Sequence, residues 1–233
     1  MKTGAVIVAA GQGSRMRTAV SKQYLPLAGK PILVHTLLRF QAHPNIDVIT
    51  VVVPSGDEQH VREMAERYGC HKVRHIVAGG SERQHSVARG LATLRSESEI
   101  VLVHDAVRPF VTDAMITAAR EAAASDGAAV LAVPVKDTIK IAREDGTVES
   151  TPERGRLWAV QTPQAFRLSL LLDAYERAEQ DGLVGTDDAM LVERLGHPVK
   201  IVHGDYANIK ITTPEDLDWA EQVMTNRLRE ERS

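Results

Sequence analysis

Short runs rich in Val, Ile and Ala recur along the chain, separated by longer stretches with apolar residues at helical spacing. The runs are Ala5–Ala9, Val48–Val53, Val73–Ala78, Ile100–Val103, Ala128–Val133 and Val199–His203. Between them the periodicity predicts helices near Pro31–Gln41, Asp57–Tyr68, Glu82–Leu94, Thr112–Ser125, Ser169–Gln180 and Asp187–Leu195. Runs of this type without polar alternation suit strands covered on both faces, and alternation with helices predicts an α/β fold with a mostly parallel sheet. A last helix is expected after Thr213-Pro-Glu-Asp, which offers a hydroxyl cap, proline at the first helical position and early acids. One stretch breaks the rhythm. Lys136 to Thr151 alternates at period two around Asp145-Gly146, which predicts an inserted β-hairpin. An isolated two-stranded ribbon is barely stable in water, so this arm, at about 136–160, needs a surface to lean on. A second copy of the chain is one candidate. With no repeats or long linkers, a single domain over 1–233 carrying the arm is the simplest organisation.

The first strand runs into Ala9-Ala-Gly-Gln-Gly-Ser-Arg-Met16, and Lys22 follows closely. Glycines after a buried strand let backbone N–H groups approach an anion, and Arg15 and Lys22 add positive charge beside it. A polyphosphate fits that description. The spacing is not a dinucleotide fingerprint, because Met16 stands where the third glycine belongs, and it is not a P-loop. A tight turn made for packing alone would leave Arg15 and Lys22 unexplained.

The 233 residues can bury a substantial core, and 43% hydrophobic with 25% charged residues is ordinary for a globular chain. A net charge of −3 leaves no basic excess for a nucleic-acid backbone. The single cysteine, Cys70, excludes an internal disulfide and a multi-cysteine zinc site, and the scattered histidines show no metal spacing. No apolar stretch is long enough to cross a bilayer and no signal peptide precedes the first strand, so no membrane partner and a cytoplasmic location are expected.

Other residues fall where chemistry is expected, at the carboxyl ends of strands. Asp105, in His104-Asp-Ala-Val-Arg-Pro109, could hold Mg²⁺ beside phosphates, and Arg108 could meet a phosphate with two parallel hydrogen bonds. An Asp capping the next turn with Arg108 paired to it is the plainer reading. Lys210, in Asn208-Ile-Lys-Ile-Thr212, is expected on a short strand, where it either meets an anion or guards a sheet edge. The turn Ala78-Gly-Gly-Ser-Glu-Arg83 with Ser86 has small residues that a flat base could approach, or simply starts a helix. Thr186-Asp-Asp reads first as a helix start with Thr186 as cap, and Thr162 precedes a proline in extended backbone without a role that composition assigns. A glycine loop, cations and one acid suit phosphoryl or nucleotidyl transfer.

Taken in order, these motifs, with Lys22-Gln23, Val133-Pro-Val-Lys-Asp-Thr138, Leu157-Trp158, Thr162-Pro-Gln164 and Gly185-Thr-Asp187, resemble the 2-C-methyl-D-erythritol 4-phosphate cytidylyltransferases of the non-mevalonate isoprenoid pathway. The resemblance covers nearly the whole chain. It implies a Rossmann-like nucleotidyltransferase fold, a homodimer whose β-arm reaches across to the partner, and transfer of CMP from CTP to 2-C-methyl-D-erythritol 4-phosphate with release of pyrophosphate. It further implies that Gly11, Gly13, Arg15 and Lys22 hold the triphosphate, and that Ala9, Ala10, Gly80, Ser81 and Ser86 frame the nucleoside. Asp105 would ligate Mg²⁺. Arg108, Thr162, Thr186 and Lys210 would hold methylerythritol phosphate, with Thr138 and Arg154 arriving from the partner's arm. Ser81 stands where some relatives carry an acid, and Asp205 is offset from the position of a second metal-binding Asp, so that role is left unassigned.

Two other functions fit parts of the pattern. A ribitol 5-phosphate cytidylyltransferase shares loop and chemistry and differs in the acceptor pocket. A Rossmann-type oxidoreductase or non-catalytic nucleotide-binding module shares the strand–turn–helix start, but the missing third glycine and Lys22 argue against it.

Overall fold

The computed structural model describes residues 1–11 and 20–230. In chain order the elements are β1 (Thr3–Val8), β2 (Pro26–Leu27), β3 (Lys30–Pro31), α1 (Ile32–Ala42), β4 (Val48–Val53), α2 (Glu58–Arg67), β5 (Val73–Ala78), α3 (Arg83–Leu94), β6 (Ile100–Asp105) and α4 (Asp113–Asp126). There follow β7 (Ala128–Pro134), β8 (Ile141–Ala142), β9 (Val148–Ser150), β10 (Trp158–Arg167), α5 (Leu168–Gln180), α6 (Asp188–Arg194), β11 (Lys200–His203) and α7 (Pro214–Glu230).

Seven strands form one sheet in the order β11-β7-β10-β6-β1-β4-β5. β1, β4, β5 and β6 pair in parallel, as do β7 and β11, while β10 runs against both its neighbours. Side-chain alternation along the strands splits the core into two layers. Ala5, Ile7 and Ala9 point to the face covered by Leu37 and Phe40 of α1, Val61 of α2 and Ile116 of α4. Val6 and Val52 point to the opposite face, under Val87 and Leu91 of α3, Leu171 of α5 and Leu191 of α6. Both faces are therefore buried, which is why the strands read as unbroken apolar runs. α4 starts on the Thr112 side chain, which accepts from the Met115 N–H, and ends at Gly127, whose φ of +90° turns the chain into β7.

The chain winds from β1 outward to β4 and β5, then returns to place β6 on the other side of β1. That reversal opens a crevice beyond the carboxyl ends of β1 and β6. A third apolar cluster closes its outer side, where Leu217 and Ala220 of α7 pack on Leu27, Ile32 and Phe110.

Three expectations need correction. β10 was not expected as a strand, because Pro163 and the polar Gln161, Thr162 and Gln164 mask its pattern. It accommodates the proline at a register shift between Val160 and Gln164. Lys210 does not lie on a strand. Asn208–Thr212 is a loop held by individual hydrogen bonds, including Ile211 N–H to the Val107 carbonyl at 2.9 Å. Thr186 does not cap α6; the Asp187 carboxylate does, accepting from the Met190 N–H at 2.9 Å. The hairpin arm is present, with β8 and β9 antiparallel around Asp145-Gly146 and fully exposed. No helix among the described residues is long and apolar enough to cross a membrane.

Candidate active site

A cleft of about 520 Å³ opens beyond β1, β5 and β6, lined by Ala9, Ala10 and Gly11, Lys22, Gly80, Ser81 and Ser86, Asp105 and Lys210. Each of these was singled out in the sequence. Gly13 and Arg15 lie outside the described residues.

Backbone ladders build one wall of the cleft. The Ala9 N–H donates to the Val52 carbonyl and the Gly79 N–H to the Val53 carbonyl, each at 2.7 Å, so the two turns sit side by side over the end of β4. They touch so closely that a Cβ on Gly79 would stand 2.4 Å from the Ala10 Cβ, and one on Gly80 would stand 2.4 Å from the His85 Cβ. Ser86, on the first turn of α3, holds the turn together. Its Oγ accepts the Gly80 N–H at 3.0 Å and donates to the Glu82 carbonyl at 3.1 Å. With its hydrogen committed, the hydroxyl can only accept from a ligand.

Asp105 ends β6 at the base of the cleft. Its Oδ2 lies 3.1 Å from Lys210 Nζ and 3.2 Å from Arg108 Nε. Burial alone would raise its pKa, but the Lys210 charge first, then Arg108 and Arg83, hold it well below the usual carboxylate range. Among the described residues no hydrogen bond reaches Oδ1, which leaves an ionised oxygen available to a cation. Oxygen ligands of this kind fit Mg²⁺. Lys210 reaches Asp105 because Arg108 Nη1 donates to the Asn208 carbonyl at 2.8 Å and the buried Asn208 Nδ2 donates to the Thr162 carbonyl at 2.9 Å.

The remaining candidates stand differently. Thr162 is buried and its hydroxyl faces inward, accepting the Asp105 N–H at 3.1 Å and meeting His104 Nδ1 at 3.0 Å. Thr186 is exposed and its hydroxyl contacts Met190 Sδ at 3.5 Å. Thr138 and Arg154 are exposed on the arm, where Arg154 Nη1 donates to the Lys136 carbonyl at 3.0 Å. Neither they, Thr162, Thr186 nor Arg108 lines the cleft.

Sequence reasoning missed Arg83. It lines the cleft from the start of α3 and its Nη2 lies 2.8 Å from Oδ2 of the buried Asp188, which also accepts from the Tyr175 hydroxyl. The signal was there: an arginine beside a glycine turn and a second acid after Asp187. A groove of about 490 Å³ between α3 and α5 is comparable in size. Its charges are opposed, as in Arg95–Glu176 at 3.5 Å, whereas the first cleft sets three cations, Lys22, Arg83 and Lys210, against two acids, Glu82 and Asp105.

Comparison with known proteins agrees with this geometry. The family model described as 2-C-methyl-D-erythritol 4-phosphate cytidylyltransferase matches residues 3–226. The enzyme of that name from Alkaliphilus metalliredigens is 51% identical over 97% of this chain and 94% of its own length. The one from Geobacillus thermodenitrificans is 51% identical over 99% of this chain and 100% of its own. Among solved structures, 4-diphosphocytidyl-2C-methyl-D-erythritol synthase from Anaerococcus prevotii superposes with a TM-score of 0.85 at 36% identity, covering 96% of each chain.

Proposed function

The chain belongs to the 2-C-methyl-D-erythritol 4-phosphate cytidylyltransferase family, and from that footing we propose how its cleft performs the transfer. It joins CTP to 2-C-methyl-D-erythritol 4-phosphate, giving 4-diphosphocytidyl-2-C-methyl-D-erythritol and pyrophosphate. Family membership selects this acceptor over ribitol 5-phosphate and nucleotidyl transfer over the oxidoreductase or binding module that the sequence pattern also touched.

The observation that carries the mechanism is the convergence of two glycine turns, Lys22, Lys210 and an ionised Asp105 on one cleft. The turn at Gly79-Gly80 takes the base flat against the backbone, and the Ser86 Oγ accepts from it. Ala9 and Ala10 frame the nucleoside, Gly11 and Gly13 present backbone to the triphosphate, and Arg15 and Lys22 supply positive charge beside it. Asp105 would hold Mg²⁺, which would supply charge neutralisation at the phosphates. The acceptor phosphate is already ionised near neutral pH, so no general base is required. One of its oxygens attacks the α-phosphorus in line; the new P–O bond forms as the bond to the β-phosphate oxygen breaks, and pyrophosphate leaves. Lys210 steadies the attacking phosphate, and Arg15 and Lys22 stabilise the charge spreading over the transferred group and leaving oxygen.

The arm supports a homodimer. Ile139, Ile141 and Val148 are large apolar side chains left exposed on a ribbon too short to be stable alone. Seated on a second copy, the arm carries Thr138 and Arg154 to the partner's acceptor pocket, to which Arg108 and Thr186 are also assigned, while Thr162 supports that pocket from within through its bonds to the Asp105 N–H and His104. A magnesium-dependent pyrophosphate-release assay crossing all four nucleoside triphosphates with both polyol phosphates tests the reading. Turnover confined to CTP with methylerythritol phosphate is expected; equal turnover with ribitol 5-phosphate, or none without a dehydrogenase cofactor, would refute it.

A further inference from the structure

The mechanism above leaves one chemically capable group unused. His104, next to Asp105 on β6, has no exposed surface, and its ring packs against Phe40 with centroids 4.9 Å apart. Both ring nitrogens are engaged: Nε2 lies 3.1 Å from the Arg108 carbonyl and Nδ1 lies 3.0 Å from Thr162 Oγ1. A carbonyl oxygen only accepts, so Nε2 carries the hydrogen. In the neutral ring Nδ1 is then an acceptor, and it takes the Thr162 hydroxyl hydrogen. The same hydroxyl oxygen accepts the Asp105 N–H at 3.1 Å. The bonds run in one direction, from the Asp105 N–H through the Thr162 hydroxyl and the imidazole to the Arg108 carbonyl. They tie together the end of β6, strand β10 and the loop that presents Arg108.

We propose that His104 is a positioning residue whose neutral Nε2–H tautomer fixes Thr162 against Asp105 on one side and the Arg108 backbone on the other, and so sets the spacing between the nucleotide and acceptor halves of the cleft. The proposal rests on the roles given above to Asp105 and Arg108. It also gives Thr162 a function its inward hydroxyl can perform without touching substrate. Reversing the tautomer would set two lone pairs against each other at the Arg108 carbonyl.

The two nitrogens can be separated by substitution. His104→Asn keeps an acceptor near Nδ1 and loses the donor to Arg108; His104→Gln keeps the donor and loses the acceptor for Thr162. His104→Asn should raise KM for the polyol phosphate about tenfold, the worth of one good hydrogen bond, while KM for CTP moves little. His104→Gln should show the reverse split. His104→Phe, which preserves ring volume, should lower kcat on the order of 100-fold by loosening both halves. Equal shifts in both KM values for Asn and Gln, or a folded Phe variant with parental kinetics, would overturn the proposal. Should the variants not fold, ¹⁵N NMR of the intact protein decides: a protonated Nε2 and a hydrogen-bonded, unprotonated Nδ1 are expected, and the opposite tautomer refutes it. Because that measurement needs no substrate, it is independent of the reading of the site, which fails separately if Asp105→Asn retains full turnover.

Discussion

Lys210 Nζ stands 3.1 Å from Asp105 Oδ2, yet the two side chains differ sharply in exposure, 37% against 9%. The carboxylate is nearly buried and the ammonium more than a third exposed, and both line the cleft. Arg108 also holds Asp105, so the acid would keep a counter-charge in the proposed step where Lys210 turns to substrate. Lys210→Ala should therefore lower kcat/KM by about 100- to 1000-fold, as the loss of one transition-state contact does, with little change in thermal midpoint. Pyrophosphate release checks it; a variant within tenfold of the parent would remove Lys210 from the mechanism.

Lys22 lines the same cleft, and Arg15 precedes it in the glycine-bearing segment. Charge on the leaving pyrophosphate is greatest in the transition state, so these cations should act on kcat more than on CTP affinity. Lys22→Ala and Arg15→Ala should each cost orders of magnitude in kcat while circular dichroism shows an unchanged fold. Near-parental kcat in either would show that another group carries that charge.

The layered α/β fold was legible because buried parallel strands leave long apolar runs, and β1, β4, β5 and β7 fall where those runs are. The glycine turns and Asp105 were legible for the same reason: strand ends in such a sheet open on the ligand crevice. β10 was hidden because its pairing partners, not its own residues, make it a strand, and Pro163 argues locally against one. Thr162 and Arg108 were found as residues, but their inward bonds were not. Those bonds depend on Asn208 and His104, contributed by segments far apart in the chain. Arg83 and Asp188 were each visible beside their turns, but nothing in the spacing shows that α3 and α6 meet, so their pairing escaped.

Asp105 alone among the cleft residues is proposed to meet a metal. Asp105→Asn keeps the shape and removes the charge, so CTP should still bind weakly through the glycine turns. Titration calorimetry should show parental CTP binding strengthening when Mg²⁺ is added, and Asp105→Asn binding the same with and without it. Metal-dependent tightening that survives the substitution would place the cation elsewhere.

Ser86 offers a lone pair and no hydrogen, because its hydroxyl hydrogen is given to the Glu82 carbonyl. An acceptor in that position favours the amino group of cytosine over the carbonyl of uracil. Ser86→Ala should narrow the preference for CTP over UTP by about tenfold, mainly through weaker CTP use. Paired kcat/KM measurements on the two nucleotides check this. An unchanged ratio would mean that backbone groups alone read the base.

Acid should weaken the fold before the Asp105 carboxylate titrates. Burial foremost pushes the His104 imidazole down to about 4, and burial also lowers His35 and His43. In the unfolded chain these rings take up protons near about pH 6.5. Between about pH 6.5 and about 4 the unfolded state therefore binds more protons than the folded one, so stability falls as pH falls through that window. Asp105 acts lower: its depressed pKa stabilises the fold above the ordinary carboxylate value of about 4, and that contribution is lost only below it. Urea midpoints should decline from about pH 7 to about pH 5, and the decline should be shallower in His104→Phe than in the parent. A parent midpoint that stays level or rises over that interval would mean the buried rings are already charged in the fold, and with a charged ring Nδ1 would donate to the Thr162 oxygen instead of accepting from it.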